Sequence, residues 1–259
     1  MNVGDWIKKW SLLCPQKTAL FFENRFFSYQ ELNRRINQLC HLLLGMGVRK
    51  GDRVAVLLQN CHQYIEILFA LSKIGAIFVP LNWRLAGPEL LFLIQDSGSR
   101  MLILEPEFEE VVASIRPHLP PDYLCVGSPC PNWARDYERG LLENVDHEPS
   151  LGETVGDEDP HMIMYTSGTT GVPKGAILSH RKTFFNVLNA DIFYHLTPKD
   201  VMVITRPLFH SGGLLVDAAP VLYKGGTLIF KKRFRTHEIF GTIERHRVTV
   251  VEMAGTLFQ

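Results

Sequence analysis

The chain has 259 residues, in which 27 lysines and arginines balance 27 aspartates and glutamates, and 46% of the residues are hydrophobic. This composition is typical of a globular protein with one large or two smaller domains, and it excludes a mainly disordered chain and a coiled coil. The zero net charge removes the electrostatic argument for a nucleic-acid partner. Five irregularly spaced cysteines favour reduced thiols, and the N-terminus lacks the apolar core of a signal peptide. The longest apolar stretch is interrupted by Lys73, so we expect a cytoplasmic protein without a transmembrane segment.

The first predicted elements are a β-hairpin and a helix. Two apolar runs, at residues 18–23 and 26–29, are separated by a short polar turn, which indicates two antiparallel strands. Ser28 and Glu31 have the spacing of a capping box, so a helix is predicted to begin there. Gly45 predicts the end of this helix.

Apolar runs typical of strands then alternate with helical patterns along most of the chain. The predicted strands lie at residues 53–58, 76–80, 100–105, 123–126, 161–165, 176–179, 201–205, 227–230 and 248–252, and the helices between the first four lie at 62–73, 87–96 and 106–116. Such apolar strands belong in sheets covered on both faces, and the alternation indicates βαβ units. We therefore predict an α/β fold with layered, parallel-type sheets and flanking helices. Glu66 and Glu89, on two of the predicted helices, are expected to be surface charges.

Residues 143–160 interrupt this pattern with seven acidic residues, two prolines and two glycines. Such a composition predicts a surface connector between two lobes. We therefore expect a first α/β lobe over residues 1–150 and the beginning of a second lobe over residues 151–259.

Residues 166–175, between two predicted strands, combine four serines and threonines with three glycines and Lys174. Small hydroxylated residues and glycines suit a loop whose backbone N–H groups turn towards an anion, and a lysine adds a cation for phosphate oxygens. The Walker A pattern is not met, because Pro173 precedes Lys174 and Gly175 follows it. The segment therefore predicts a phosphate-binding loop of a different kind, and the alternative is a polar linker between two strands.

Three segments resemble motifs of the adenylate-forming superfamily, which includes acyl-CoA synthetases, peptide-synthetase adenylation domains and luciferase-like enzymes. YTSGTTGVPKG at residues 165–175 resembles the signature loop of that family. LSKIGAIFVPLNWRL at 71–85 resembles a stretch ahead of the loop, and RPLFHSGGL at 206–214 resembles a motif after it. The resemblance implies that the chain forms part of the large N-terminal domain of an acyl-CoA synthetase-like fold.

The resemblance also implies a two-step reaction. A carboxylate attacks the α-phosphate of ATP to give an acyl-adenylate and pyrophosphate, and coenzyme A then displaces AMP. The residues that would wrap the phosphates are Thr166, Ser167, Gly168, Thr169, Thr170 and Gly171. Lys174 would stabilise the departing pyrophosphate, and Mg²⁺ would bridge phosphate oxygens, without an assigned protein ligand.

The third segment bears on the acid that is activated. Where amino-acid-activating relatives carry an aspartate after the phenylalanine, this chain has His210 after Phe209. A buried pocket without that carboxylate would leave an ammonium group unpaired, which disfavours an amino acid substrate. The resemblance implies that His210 is a catalytic gate between the acyl pocket and the adenylate, and the alternative is a partly buried histidine bonded to the backbone. Gly212 and Gly213 either leave room for an acyl chain or form a flexible turn.

We expect a fatty acid as the substrate, with an aryl or short-chain acid as the alternative. The chain stops at Gln259, before the adenosine- and Mg²⁺-binding segments of the family and before its small C-terminal domain, which we expect to be absent. This predicts the N-terminal portion of a fatty-acid–CoA ligase that is inactive alone and self-associates through an exposed sheet edge. A non-catalytic nucleotide-binding protein on half of this fold is the alternative from a different class.

Overall fold

The computed structural model of the chain describes residues 2–166, 171–232 and 238–253. The α-helices in these ranges are α1 Asp5–Leu13, α2 Tyr29–Gly45, α3 His62–Ile74, α4 Gly87–Asp96, α5 Glu109–Ile115, α6 Tyr137–Leu142, α7 His180–Tyr194, α8 Ala219–Lys224 and α9 Ile239–His246. The strands are β1 Thr18–Phe22, β2 Arg25–Ser28, β3 Arg53–Leu57, β4 Ile77–Pro80, β5 Met101–Leu104, β6 Asp122–Cys125, β7 Arg135–Asp136, β8 Pro160–Thr166, β9 Lys174–Ser179, β10 Val201–Val203, β11 Thr227–Phe230 and β12 Val250–Val251. Short 3₁₀ helices flank α5, and a π-helix, Gly212–Ala218, precedes α8.

In the described ranges the strands form two sheets. A seven-stranded sheet has the order β7-β6-β5-β3-β4-β8-β9, and a five-stranded sheet has the order β12-β10-β11-β1-β2. The β1–β2 and β8–β9 pairs are antiparallel, and the other neighbours are parallel. The predicted α/β fold class is thereby confirmed. β8 and β9 form a hairpin because the link between them is too short for the crossover that parallel strands need.

The first hairpin and the first long helix begin where the sequence predicts. The turn between β1 and β2 places Glu23 in the left-handed region, at a φ of 53°. The Ser28 hydroxyl accepts a hydrogen bond from the Glu31 N–H at 3.1 Å, so the N-terminus of α2 is capped. After α2 ends, Gly47 has a φ of 84°, which lets the chain leave the helix without steric strain.

The central strands of the seven-stranded sheet are covered on both faces. β3, β4 and β5 consist almost entirely of buried apolar residues, which explains why their sequences are continuous apolar runs. α4 and α5 contribute Leu90, Leu93 and Val112 to the core of this sheet. Ile163 of β8 belongs to the same core, so the first strand of the β8–β9 hairpin is fixed in the packed interior.

The chain forms two compact units from interleaved segments. The first unit, with the seven-stranded sheet, comprises Met1–Gly4, Arg34–Leu58 and Glu66–Arg181. The second unit, with the five-stranded sheet, comprises Asp5–Asn33, Gln59–Ile65 and Lys182–Gln259.

The predicted connector has no helix or strand between α6 and β8, but it lies entirely within the first unit. It is tied to that unit by an ion pair between Lys73 Nζ and Glu148 Oε2 at 2.8 Å. The boundary between the two units therefore does not lie near residue 150. The composition indicates where helices and strands are interrupted, but it does not indicate with which unit the interrupting segment packs.

None of the helices in the described part of the chain is long and apolar enough to cross a lipid bilayer. The longest apolar stretch of the sequence begins in α3, which has 13 residues, all of them buried within the protein.

Candidate functional site

The hydroxyl- and glycine-rich segment lies at the tip of the β8–β9 hairpin. Tyr165 pairs with Gly175 across the hairpin and Thr166 pairs with Lys174, so the last pair closes the base of the loop. Thr166 and Lys174 are both exposed. The predicted loop residues that lie outside the described ranges are Ser167, Gly168, Thr169 and Thr170. The hairpin thus places a hydroxyl and an ammonium group on adjacent strands, at the two ends of the loop.

The return side of the loop is shaped by a glycine. Gly171 has a φ of 82°, in the left-handed region that residues with a side chain rarely adopt. Lys174 follows it at the first position of β9. The backbone N–H groups of such a turn, a threonine hydroxyl and a lysine ammonium group are hydrogen-bond donors. Phosphate oxygens accept hydrogen bonds from groups of these kinds. The described residues therefore fit a phosphate group at the hairpin tip.

Tyr165, immediately before Thr166, is anchored to the end of α4. Its hydroxyl donates a hydrogen bond to Asp96 Oδ2 at 2.6 Å. Burial and this hydrogen bond raise the pKa of Tyr165 above its ordinary value. A Cβ atom at Gly175 would lie 2.8 Å from Ile163 Cγ2 and 3.2 Å from the tyrosine ring, so glycine lets β9 lie against both. The sequence analysis missed Asp96, although a carboxylate at a helix C-terminus, where the dipole disfavours it, was a usable signal.

Two histidines pack together at the other end of the hairpin. The rings of His161, near the start of β8, and His180, directly after β9, have centroids 4.8 Å apart. His161 Nε2 is 2.7 Å from the Ser72 hydroxyl, and His180 Nδ1 accepts the Val3 N–H at 3.2 Å. Burial lowers the pKa of His180 to about 4, and burial and the neighbouring His180 lower the pKa of His161 well below its ordinary value. Both rings are therefore neutral near neutral pH.

Acid is expected to destabilise the protein through this histidine pair. In the unfolded chain both imidazoles take up a proton near a pKa of about 6.5, whereas the buried rings stay neutral. The contribution of the two histidines to the free energy of unfolding is therefore fully present above about pH 6.5. It is lost as the pH falls towards about 4, by at most about 1.4 kcal/mol per pH unit for each histidine. Urea unfolding at a series of pH values across this window measures the loss.

Two variants separate this effect from general acid denaturation. His180→Asn keeps an acceptor for the Val3 N–H but cannot titrate. It should therefore reduce the dependence of the free energy of unfolding on pH by the share that His180 contributes. His118→Asn removes an exposed histidine and should leave this dependence unchanged. The prediction is wrong if His180→Asn has the same slope as the unsubstituted chain.

His210 lies in the second unit, in the turn between β10 and the π-helix. Its side chain is exposed, and its Nδ1 accepts the Gly212 N–H at 3.2 Å. With Nδ1 accepting, the neutral ring carries its proton on Nε2. The alternative, a partly buried histidine bonded to the backbone, agrees with this hydrogen bond but not with the exposure of the ring. The gate stays a prediction.

The segment ahead of His210 is held by a buried ion pair. Asp217 is 1% exposed and accepts two hydrogen bonds from the Arg206 guanidinium, one of them at 2.8 Å. This bonding raises the pKa of Arg206. The sequence analysis missed Asp217, although a single carboxylate in the apolar run LLVDAAP must find a partner when buried.

The glycines after His210 have a structural reason. A Cβ atom at Gly213 would lie 2.5 Å from the Pro207 carbonyl oxygen, and one at Gly212 would lie 2.9 Å from an Arg206 side-chain nitrogen. Glycine at position 213 therefore permits the close approach of the π-helix to the turn. Room for an acyl chain stays a prediction.

A mainly parallel α/β chain with a hydroxyl- and glycine-rich segment at a hairpin tip, followed by a lysine, is the arrangement that the phosphate-loop prediction requires. The family model described as AMP-binding enzyme matches residues 8–259. The chain belongs to the AMP-binding enzyme family.

Similar proteins include acid–CoA ligases of about twice this length. Feruloyl-CoA synthase from Amycolatopsis sp is 37% identical over 258 residues, which cover 100% of this chain and 50% of that protein. Indoleacetate–CoA ligase from Aromatoleum aromaticum is 36% identical over 250 residues, which cover 96% of this chain and 49% of that protein. A solved structure of a fatty acyl CoA synthetase from Mycobacterium tuberculosis matches with a TM-score of 0.86 at 27% identity, over 99% of this chain and 50% of that one. The chain thus spans about half the length of the curated relatives it matches.

Proposed function

We propose that this chain is the N-terminal portion of an acid–thiol ligase, which joins a carboxylic acid to coenzyme A through an acyl-adenylate. The observation that carries the proposal is the β8–β9 hairpin, which sets Thr166 opposite Lys174 at the base of the loop in a chain of the AMP-binding family. Two relatives are named for the formation of a CoA thioester, feruloyl-CoA synthase and indoleacetate–CoA ligase, which supports coenzyme A as the thiol. Free cysteines support a reducing, cytoplasmic location.

The proposal gives each part of the loop a role. The residues that wrap the phosphates of ATP are Thr166, Ser167, Gly168, Thr169, Thr170 and Gly171. Lys174 offsets the negative charge that develops on pyrophosphate as it leaves. Mg²⁺, for which we assign no protein ligand, would bind phosphate oxygens of ATP. His210 separates the acyl chain from the adenylate.

The proposed acid is a fatty acid. An amino acid is disfavoured, because His210 stands where such a substrate would require a carboxylate. The second candidate is an aromatic acid. Two observations favour it, namely that one relative is named for feruloyl-CoA and another for indoleacetate. The two candidates share the adenylation step and differ only in the shape of the acyl pocket.

Acid-dependent exchange of labelled pyrophosphate into ATP tests the proposal in the full-length gene product. Long-chain, short-chain and aromatic acids are supplied in parallel, and thioester formation with coenzyme A is measured for each acid that supports exchange. Preference for fatty acids supports the first candidate, and preference for aromatic acids supports the second. ATP binding without exchange for any acid would establish the non-catalytic nucleotide-binding protein instead. The isolated 259-residue chain is expected to form no thioester.

The isolated 259-residue chain is also expected to self-associate. β9 lies at the edge of its sheet in the described ranges and exposes Ile177. In the second unit, α7 exposes Phe185, Ile192 and Phe193, the last of these to 75%. Unpaired strand edges and exposed apolar helix faces favour contacts between copies. Light scattering at micromolar concentration should therefore give a mass above that of one chain.

Charged substitutions identify the surface that is responsible. Phe193→Asp is expected to shift the mass towards the monomer. Leu142→Asp alters a residue that is 83% exposed on α6 and serves as the matched control, because it lies on neither surface. A monomer in the unsubstituted chain, or an equal shift in both variants, would contradict this prediction.

A further inference from the structure

The side chain of Asn60 holds the backbone of the segment that leads to His210. Asn60 lies between β3 and α3 and belongs to the second unit, like the segment it contacts. Its Nδ2 donates to the Arg206 carbonyl at 3.0 Å, and its Oδ1 accepts the Leu208 N–H at 2.8 Å. The two bonded groups flank Pro207, which has no N–H of its own. One amide therefore binds the chain on both sides of a residue that cannot donate.

The position of His210 follows from this anchored stretch. The His210 N–H donates to the Pro207 carbonyl at 3.2 Å, and the His210 carbonyl accepts the Leu214 N–H at 3.0 Å. The imidazole is then oriented by the bond from the Gly212 N–H to Nδ1. The bond from the His210 N–H joins this residue directly to the backbone at Pro207, so a shift of that backbone moves His210 and its ring.

Other contacts in this region do not duplicate what Asn60 does. The ion pair with Asp217 fixes the guanidinium of Arg206 and not its carbonyl. The close approach of Gly213 limits how near the π-helix can come but supplies no hydrogen bond to residue 208. An amide is the side chain that donates and accepts at once, and an aspartate at position 60 would face the Arg206 carbonyl with an oxygen.

We propose that Asn60 is a positioning residue for His210, which sets the direction of its imidazole by clamping residues 206 and 208. The proposal rests on the proposed function for its meaning, since His210 is there the gate on the acyl side. Asn60 itself need not touch the substrate. Because its contacts are 146 and 148 residues away in sequence, no local pattern could identify it.

Hydrogen exchange and histidine NMR test the clamp without any need for activity. In full-length Asn60→Ala, the amide protons of residues 208 and 210 should exchange about 10-fold faster, as expected for the loss of one net hydrogen bond. Asn60→Asp retains an acceptor for the Leu208 N–H and loses only the donor to the Arg206 carbonyl, so it should speed exchange at residue 208 less than Asn60→Ala does. The ring resonance of His210, assigned with His210→Gln, should shift. The resonances of the other histidines of this chain, apart from His62 next to the substitution, should stay in place.

Asn186→Ala is the matched control. Asn186 Nδ2 donates to the Leu215 carbonyl at 3.0 Å, so this variant also removes an asparagine bond to the backbone near His210 but not at residues 206–208. It should leave the His210 resonance unchanged. Unchanged exchange and an unchanged His210 resonance in the Asn60 variants, or an equal shift in Asn186→Ala, would overturn the proposal.

Kinetics of the same variants separate this inference from the proposed function. If both hold, Asn60→Ala raises the KM for the acid about 10-fold in pyrophosphate exchange, with little change in the KM for ATP. The effect should vanish in a His210→Ala background, because the two residues act as one unit. Absence of exchange with every acid defeats the proposed function, while the spectroscopic results still decide whether Asn60 positions His210. An acid KM that Asn60→Ala changes equally in both backgrounds counts against the clamp.

Discussion

Replacing Glu66 by alanine is expected to lower the free energy of unfolding by about 3–5 kcal/mol, the cost of removing one partner from a buried ion pair. Glu66 is completely buried on α3. Its carboxylate accepts hydrogen bonds from Arg35 Nε at 2.6 Å and from the Tyr137 hydroxyl at 2.7 Å. Without this carboxylate, the guanidinium of Arg35 loses its most buried partner, and the Arg35 side chain is only 12% exposed.

Glu138→Ala is the matched control for this prediction. Glu138 binds the same guanidinium at 2.8 Å, but its side chain is 44% exposed. An exposed carboxylate contributes about 0–1 kcal/mol, because water screens the pair and competes for its hydrogen bonds. Urea unfolding should therefore show a large shift for Glu66→Ala and a small one for Glu138→Ala. Equal shifts would show that burial does not determine the strength of this cluster.

The prediction that Glu66 is a surface charge was wrong, because a local sequence pattern does not show which distant residues pack against a helix. The sequence predicted a surface charge, since a helix in a globular protein normally has one solvated face. All residues of α3 are buried, so that helix has no solvated face and its carboxylate must be paired. The partners lie 31 and 71 residues away, beyond the reach of any helical period. Glu89, by contrast, accepts the Ala86 N–H at the start of α4, a local contact.

The elements themselves could be predicted because their signals are local. Apolar runs bounded by glycine or proline gave the strands β3, β4 and β5, and the Ser28 and Glu31 spacing gave the start of α2. α1 was missed, since its sequence DWIKKWSLL carries two lysines and lies before the first clear period. The two interleaved units were also missed, because which segments pack together is decided by tertiary contacts.

The same difference between local signals and tertiary contacts applies to the candidate site. The phosphate loop could be predicted from the sequence because its serines, threonines, glycines and lysine lie close together within residues 166–175, and it stays a prediction. The residues that support the site are distant from what they hold: Asp96 is 69 residues from Tyr165, and Asn60 is 148 residues from Leu208. A local sequence pattern can therefore suggest the groups that would meet a ligand, whereas the distant groups that hold them in place are found only in the fold.

Lys174→Ala is expected to lower the rate of pyrophosphate exchange in the full-length gene product by about 10²–10³-fold. This is the loss found when one donor to a developing negative charge is removed from an active site. The side chain is exposed at the first position of β9, so the substitution should leave thermal stability unchanged. Lys199→Ala, which removes an exposed lysine in the second unit, is the control for the loss of one positive charge.

The distribution of the effect between binding and turnover identifies the role of Lys174. If the ammonium group acts on pyrophosphate as it departs, kcat falls far more than the affinity for ATP, because the charge it offsets is largest in the transition state. If Lys174 only holds the triphosphate, the KM for ATP rises and kcat is preserved. Lys174→Arg keeps the charge but replaces a compact ammonium group by a wider guanidinium, so it should recover binding more fully than turnover. A loss of less than about 3-fold in both quantities for Lys174→Ala would remove Lys174 from the proposed site and leave the hairpin loop to bind phosphate through its hydroxyl and backbone groups.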